Sequence, residues 1–336
     1  MKQERILMAH GSGGLMSQRL IEEIFKSAWD NEIMAPMLDG AVFEIPAGRL
    51  AMSTDSFVIT PLFFPGGDIG KLSVCGTVND LVACGAHPMY LSTAFIIEEG
   101  FPLADLRRIA GSMAATAKET GIKLITGDTK VVEKGSADGI FINTTGIGVI
   151  KEGIDLRPSR IVPGDLIIVT GYIGDHGLSI LAQREGLRFS TPAVSDCAPL
   201  YQLTTLTDKY QQAIKCMRDP TRGGLATVLN EIAQQAGAGI NITEAAVPVS
   251  EVVKGASDML GMDPLYMANE GKMVLFVSAE ASHDIMADLK KIPLTSHASI
   301  IGEVTSTATG MVLIETELGA RRILGMLEGE HVPRIC

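Results

Sequence analysis

The chain has 336 residues, 46% of them hydrophobic and 20% charged, a globular balance in a chain long enough for two hydrophobic cores. Its net charge of −11 argues against a nucleic-acid partner, since phosphate backbones require a basic face. No apolar run approaches the roughly 18 residues that span a membrane, and "MKQERILMAHGSGG" has too short an apolar centre for a secretory leader, so a cytoplasmic, membrane-free protein is expected.

From the N-terminus, the apolar "ILMA" runs into "HGSGG", His10 to Gly14. Next comes "SQRLIEEIFKSAW", whose Leu20, Ile21, Ile24, Phe25 and Ala28 share one helical face. Glycines before a helix let backbone N–H groups approach a phosphate. The third glycine of a dinucleotide fingerprint is missing, Met16 standing there, and no Lys-Ser/Thr pair of a P-loop follows. "GRLAMSTDSFVI" predicts a strand with a polar notch, and "IGKLSVCGTVNDLVACGA" a helix of small residues. "MYLSTAFII" predicts a strand, "LADLRRIAGSMAATAKETG" a helix with a glycine stop, "IKLITGDTKVV" a strand ending in a turn at Gly-Asp, and "GIFINTTGIGVI" a closing strand.

The charged, Gly- and Pro-containing loop from Lys151 to Gly164 marks a domain boundary. The second half restarts with the strand "DLIIVTG" and the helix "DHGLSILAQREG". The helix "GLATVLNEIAQQAG", the strand "KMVLFVS", the helix "ASHDIMADLKK" and the strands "ASIIGEV" and "MVLIET" follow. The expected segments are 1–42, a glycine-rich lead and helix; 43–155, an N-terminal domain; 156–325, a second α/β domain; and 326–336, a flexible tail.

Three aspartates stand inside apolar elements: Asp55 in "STDSF", Asp80 in "TVNDLVACGAHP" and Asp128 in "LITGDTK". A buried carboxylate needs a partner, and three of them suggest oxygen ligation of Mg2+, which takes a few carboxylates together with waters and substrate phosphates. Asp219 in "RDPTRGGL", directly before a helix, is a fourth candidate. The cysteines, Cys75, Cys84, Cys197, Cys216 and Cys336, contain no CxxC pair, so neither a zinc knuckle nor a disulfide framework is indicated. Cys336 is the last residue, in "HVPRIC". On the tail alone an incidental thiol and a functional one are both open readings.

In order, "STDSF", "TVNDLVACGAHP", "TGDTKVV" and "RDPTRGGL" resemble the aminoimidazole ribonucleotide synthase superfamily. Its members run ATP-dependent chemistry and often phosphorylate a carbonyl oxygen. "HGSGG", "MANEG" and above all "PRIC" narrow the resemblance to the HypE family of carbamoyl dehydratases. It implies an α/β (α+β) fold of two domains, each a mixed sheet with helices packed on it, and a homodimer formed through the N-terminal sheet with ATP near the interface. It further implies that Cys336 accepts a carbamoyl group from a carbamoyltransferase, HypF. The S-carboxamide is dehydrated to a thiocyanate, and cyanide passes to iron held by HypC and HypD.

The family's base and cation fall on Glu270 and Lys134, which by residue type alone read as solvated loop charges. His10, Gly11, Gly13, Gly14, Asn79 and Lys130 join the three aspartates on the ATP side. Arg334 is expected to offset part of the charge that raises the Cys336 pKa. The tail is expected to alternate between an outer state and an inner state lined by Val332 and Ile335, with Pro333 limiting its freedom. The chain departs from selenophosphate synthetase, which has a Cys or selenocysteine and a Lys near "MAHGSGG". It departs from the thiamine-monophosphate kinase pattern where Arg222 replaces an Asp. Two rival readings are a kinase or synthetase acting on a free small molecule, whose turnover survives loss of the tail, and a non-catalytic thiol carrier that binds no nucleotide.

Overall fold

A computed structural model describes residues 4–12, 14–35, 40–327, 329 and 334–336. Gly13, Val332 and Pro333 lie outside the described residues.

The first sheet has four strands in the order β1-β6-β4-β5: β1 (Arg49–Phe57), β4 (Ala86–Glu98), β5 (Lys123–Val132) and β6 (Ile140–Ile150). β4 and β5 run parallel, and β6 is antiparallel to both its neighbours. A short hairpin, β2 (Phe63–Phe64) and β3 (Gly67–Asp68), leads into helix α3 (Ile69–Ala83). Asp68 caps α3, accepting hydrogen bonds from the N–H groups of Gly70 and Lys71. Small residues let α3 be buried on nearly every side: the sheet covers one face and the second domain the other. Thr77 and Thr144 share a 2.6 Å hydroxyl contact that ties α3 to β6. Helix α4 (Leu103–Thr120) packs against α3 and stops at Gly121, which adopts the left-handed conformation. A helical rod over residues 15–29, made of α1 (Leu15–Leu20), a π-helical stretch Ile21–Lys26 and α2 (Ser27–Trp29), stacks Phe25 and Trp29 on Phe95 of β4. The opposite face of the sheet is open, with Leu50, Met52 and Ile96 exposed on it.

The second sheet has seven strands in the order β13-β12-β9-β11-β7-β10-β8. These are β7 (Leu166–Val169), β8 (Ile214–Arg218), β9 (Gly239–Thr243), β10 (Val274–Val277), β11 (Ser299–Thr305), β12 (Val312–Glu315) and β13 (Arg321–Ile323). All its pairs are antiparallel except β12 with β9. Helices α5 (Asp175–Arg184), α6 (Thr204–Tyr210), α7 (Gly224–Ala236), α8 (Glu251–Leu260) and α9 (Ala279–Leu289) pack around it. One sequence expectation fails locally. β5 runs straight through Gly127 and Asp128 instead of turning there, and a Cβ at Gly127 would come within 2.5 Å of the Thr93 carbonyl oxygen. That glycine serves close strand approach, not a turn.

Candidate active site around Cys336

The end of the chain lies inside the molecule. The N–H of Val58 donates to the main-chain oxygen of Cys336 at 3.0 Å, and the N–H of Thr60 reaches that of Arg334 at 3.5 Å. Residues 334–336 therefore lie antiparallel to 58–60, like a strand added to an edge. Arg334 donates from Nε to the Val58 carbonyl at 2.8 Å and pairs with Asp138. It does so at a φ of +52°, a left-handed conformation that costs a non-glycine residue about 1–2 kcal/mol. Ile335 is buried, as expected of a residue lining an inner position, and Cys336 is only 8% exposed. Burial pushes the Cys336 thiol up to about 12; Glu270 is the strongest charge adding to this, and Arg222 opposes it.

Glu270 follows the short 3-10 turn Pro264–Tyr266 and precedes β10, and its neighbours clamp it. Asp196 accepts the N–H groups of Glu270 and Gly271, each at 3.1 Å, and forms a buried ion pair with Lys272 at 3.1 Å. A side chain at position 271 would collide with the Asp196 carbonyl, its Cβ only 1.9 Å away, so only glycine fits this clamp. Asn269 donates to the Pro220 carbonyl at 2.8 Å and accepts the Gly174 N–H at 2.8 Å. The Glu270 carboxyl is buried, its Oε1 has no hydrogen-bond partner, and its pKa lies well above the ordinary carboxylate range, first through burial and then through Cys197 and Asp219. A buried acceptor of this kind is ready for a donor that arrives with a substrate.

Asp55, Asp80 and Asp219 come together beside this chamber. Asp80 accepts the Ser53 hydroxyl at 2.6 Å. Each carboxyl titrates above its ordinary value, mainly by desolvation, with repulsion among the three adding to it for Asp80 and Asp219; Asp219 is pushed up to about 7. The loop between β8 and α7 that carries Asp219 turns on Gly223 and Gly224, and a Cβ on Gly224 would meet the carbonyls of Leu265 and Met267 at 2.6 Å. That loop also places Arg222 beside Cys336, in a cavity of about 340 Å³.

Several expected site residues lie elsewhere. Asp128 stands on the far edge strand: Asp55 pairs with Thr144, Thr144 with Thr93, and Thr93 with Gly127. Three strand spacings, roughly 14 Å, separate the two aspartates, too far to share one ion within a chain. Among the described residues, no three His, Cys, Asp or Glu side chains are arranged to hold a metal. Asp128 instead pairs with Lys130 at 3.0 Å and, with His10 and Gly11, lines a separate cavity of about 260 Å³ walled by Phe25, Trp29 and Phe95. Gly14 sits at the N-terminus of α1, outside that lining. Asn79, expected on the nucleotide side, is engaged within the protein. It is buried on α3, donates to the carbonyls of Ala198 and Glu270 at 3.1 and 3.2 Å, and accepts the Leu200 N–H at 2.7 Å, which commits it to joining the domains. Lys134 is exposed in the turn after β5, on the loop that also carries Asp138; the cations lining the thiol's cavity are Arg222 and Arg334.

Sequence reasoning passed over Asp196, His176 and Arg184, all of which bear on the tail or on Glu270. The available signal was a polar stripe in "DHGLSILAQR", which looks the same as an ordinary solvated helix face.

Residues 37–150 match the N-terminal domain model, and 162–314 the C-terminal domain model, of AIR synthase related proteins. The carbamoyl dehydratase HypE of Azotobacter vinelandii is 50% identical over 329 residues, covering 98% of this chain and 96% of that protein. A solved structure of hydrogenase maturation protein HypE in complex with ATP is 47% identical, covers 98% of this chain and 99% of its own, and superposes with a TM-score of 0.95. A HypE–HypF complex contains a chain 49% identical, covering 92% of this chain and 99% of its own, with a TM-score of 0.81.

Proposed function

The chain belongs to the AIR synthase related family and, within it, to the HypE carbamoyl dehydratases; from that membership we propose that it dehydrates an S-carboxamide on Cys336 to a thiocyanate, using ATP, and so supplies cyanide ligands during nickel–iron hydrogenase maturation. The observation that carries this reading is the buried Cys336 thiol beside a buried Glu270 whose Oε1 lacks a partner.

An amide oxygen leaves poorly, and its transfer to phosphate, with ATP as the phosphoryl donor, makes it leave well. In the balanced reaction the carboxamide oxygen departs in inorganic phosphate, the two N–H protons are removed, and sulfur, carbon and nitrogen remain as S–C≡N. Glu270 accepts the N–H protons, its raised pKa making it a stronger base once ionised. Arg222 offers positive charge at the thiol end. Lys134 is proposed to act on the departing phosphate; its loop is tied to the tail through Asp138 and Arg334.

His10, Gly11, Asp128 and Lys130 are assigned to the nucleotide because they line one cavity. The raised carboxyls of Asp80 and Asp219 mark an excess of negative charge around Asp55, Asp80 and Asp219, which supports Mg2+ held there chiefly by nucleotide phosphates and waters, since the three side chains do not by themselves form a metal site. Bound there, Mg2+ would neutralise phosphate charge. The open face of the four-stranded sheet, with exposed Leu50, Met52 and Ile96, supports a homodimer. HypF is proposed as the carbamoyl donor, and HypC and HypD as the acceptors of cyanide.

Glu270→Gln tests the chemistry. It keeps the shape and loses the base, so carbamoylated Cys336 should accumulate as S-carboxamide in the presence of MgATP, read by peptide mass spectrometry. Normal thiocyanate formation in this variant would remove Glu270 from the mechanism.

A further inference from the structure

One face of α5 carries His176, Ser179, Gln183 and Arg184, at the i, i+3, i+7 and i+8 positions of a single stripe. The middle pair fixes the helix to the first domain: Ser179 and Gln183 donate to the main-chain oxygens of Pro65 and Phe63 at 3.3 and 3.0 Å. The two ends hold the tail. His176 Nε2 lies 2.8 Å from the Ile335 carbonyl oxygen, and the Arg184 guanidinium donates to the carbonyls of Arg334 and Thr60.

A carbonyl only accepts, so Nε2 of His176 carries the proton. Nδ1, 2.7 Å from Ser195 Oγ, then accepts from that hydroxyl, and Ser195 Oγ accepts the Cys197 N–H at 3.0 Å. His176 is fully buried, with Phe64 meeting it edge-on, and desolvation keeps its ring neutral. Both nitrogens are committed, one of them to a tail residue 159 positions away. When the tail leaves, the buried Nε2–H loses its acceptor, which is costly inside a protein. The loop that orients His176 through Ser195 continues into Asp196, which holds the Glu270 and Gly271 N–H groups. The tail's anchor and the base thus hang from consecutive residues.

We propose that His176, oriented by Ser195, selects the inward tail and thereby brings the Cys336 sulfur to Glu270. It is a positioning residue, and its role rests on the reading of Cys336 as the carrier.

Two substitutions of similar burial separate the latch from mere packing. His176→Gln places an amide nitrogen near the former Nε2 and keeps a donor for Ile335; His176→Asn reaches only the Ser195 side. Three quantities are read on the full chain: alkylation of Cys336 by iodoacetamide without nucleotide, single-turnover conversion of the S-carboxamide with MgATP, and thermal unfolding. With Asn, Cys336 alkylation should rise and dehydration fall, each by about tenfold. Gln should restore most of both at a comparable melting temperature. Ser195→Ala, which deletes the orienting hydroxyl and leaves the imidazole in place, should also speed alkylation. Wild-type alkylation in the Asn and Ala variants, or Gln as defective as Asn at equal stability, would overturn the latch. Alkylation is read without substrate, so this outcome is distinct from failure of the carrier reading, which would appear as turnover persisting in Cys336→Ala.

Discussion

A thiol pushed up to about 12 is almost entirely S–H at neutral pH, so the docked Cys336 is a poor nucleophile. On the proposed reading it accepts its carbamoyl group with the tail outside and reacts onward with the tail inside. At Glu270 the sign is different. Its pKa is raised, so the group stays protonated, and idle as a base, until pH climbs through that raised value. Single-turnover dehydration should therefore increase with pH across a window above the ordinary carboxylate range. In Glu270→Gln any residual rate should lack this rise. A wild-type rate that is flat from pH 5 to 8 would contradict the assignment. These residues were legible only through family resemblance, because a Glu in "MANEG" looks like any loop charge. Its main chain is held by Asn79 and Asp196, which are distant in sequence.

Asn79 shows the same limit for a whole element. Helix α3 was readable from its small, apolar run, but its outward polar residue could equally have faced a nucleotide. The fold turns it instead to the loop at 198–200 and to the Glu270 carbonyl. Asn79→Ala removes three hydrogen bonds and leaves buried groups unpaired, so it should destabilise the protein by about 3 kcal/mol. The melting temperature and dehydration should fall while ATP affinity measured by calorimetry stays unchanged. Lost ATP affinity at unchanged stability would return Asn79 to the nucleotide. The long periodic helices and the apolar strands appear where the sequence predicts them. β8 and β9 were not read, because "IKCMR" and "GINIT" are five residues each, too short for alternation to stand out. The apparent turn at Gly127 was wrong because local sequence cannot distinguish a turn glycine from one admitting a neighbouring strand.

For the molecule as a whole, the two sheets meet around α3, with the tail threaded against residues 58–60 and α5. Among the described residues, the helices pack on one face of the four-stranded sheet. If the open face forms the homodimer, Ile96→Glu, a charge at a 45% exposed apolar position, should shift the protein to monomer in sedimentation. A dimer unaffected by Ile96→Glu and by Met52→Lys would place the interface elsewhere. The separation of Asp128 from Asp55 across this sheet is invisible in a linear motif, because strand order is a property of the fold. The central claim is that Cys336 is both carrier and site of dehydration, and intact-mass spectrometry tests it most directly. The chain is carbamoylated by a carbamoyl-donor system, and MgATP is then added. The account predicts an adduct on Cys336 that loses the mass of one water while remaining bound to the chain. An adduct that forms on another residue, or one on Cys336 that persists unchanged with MgATP, would contradict it.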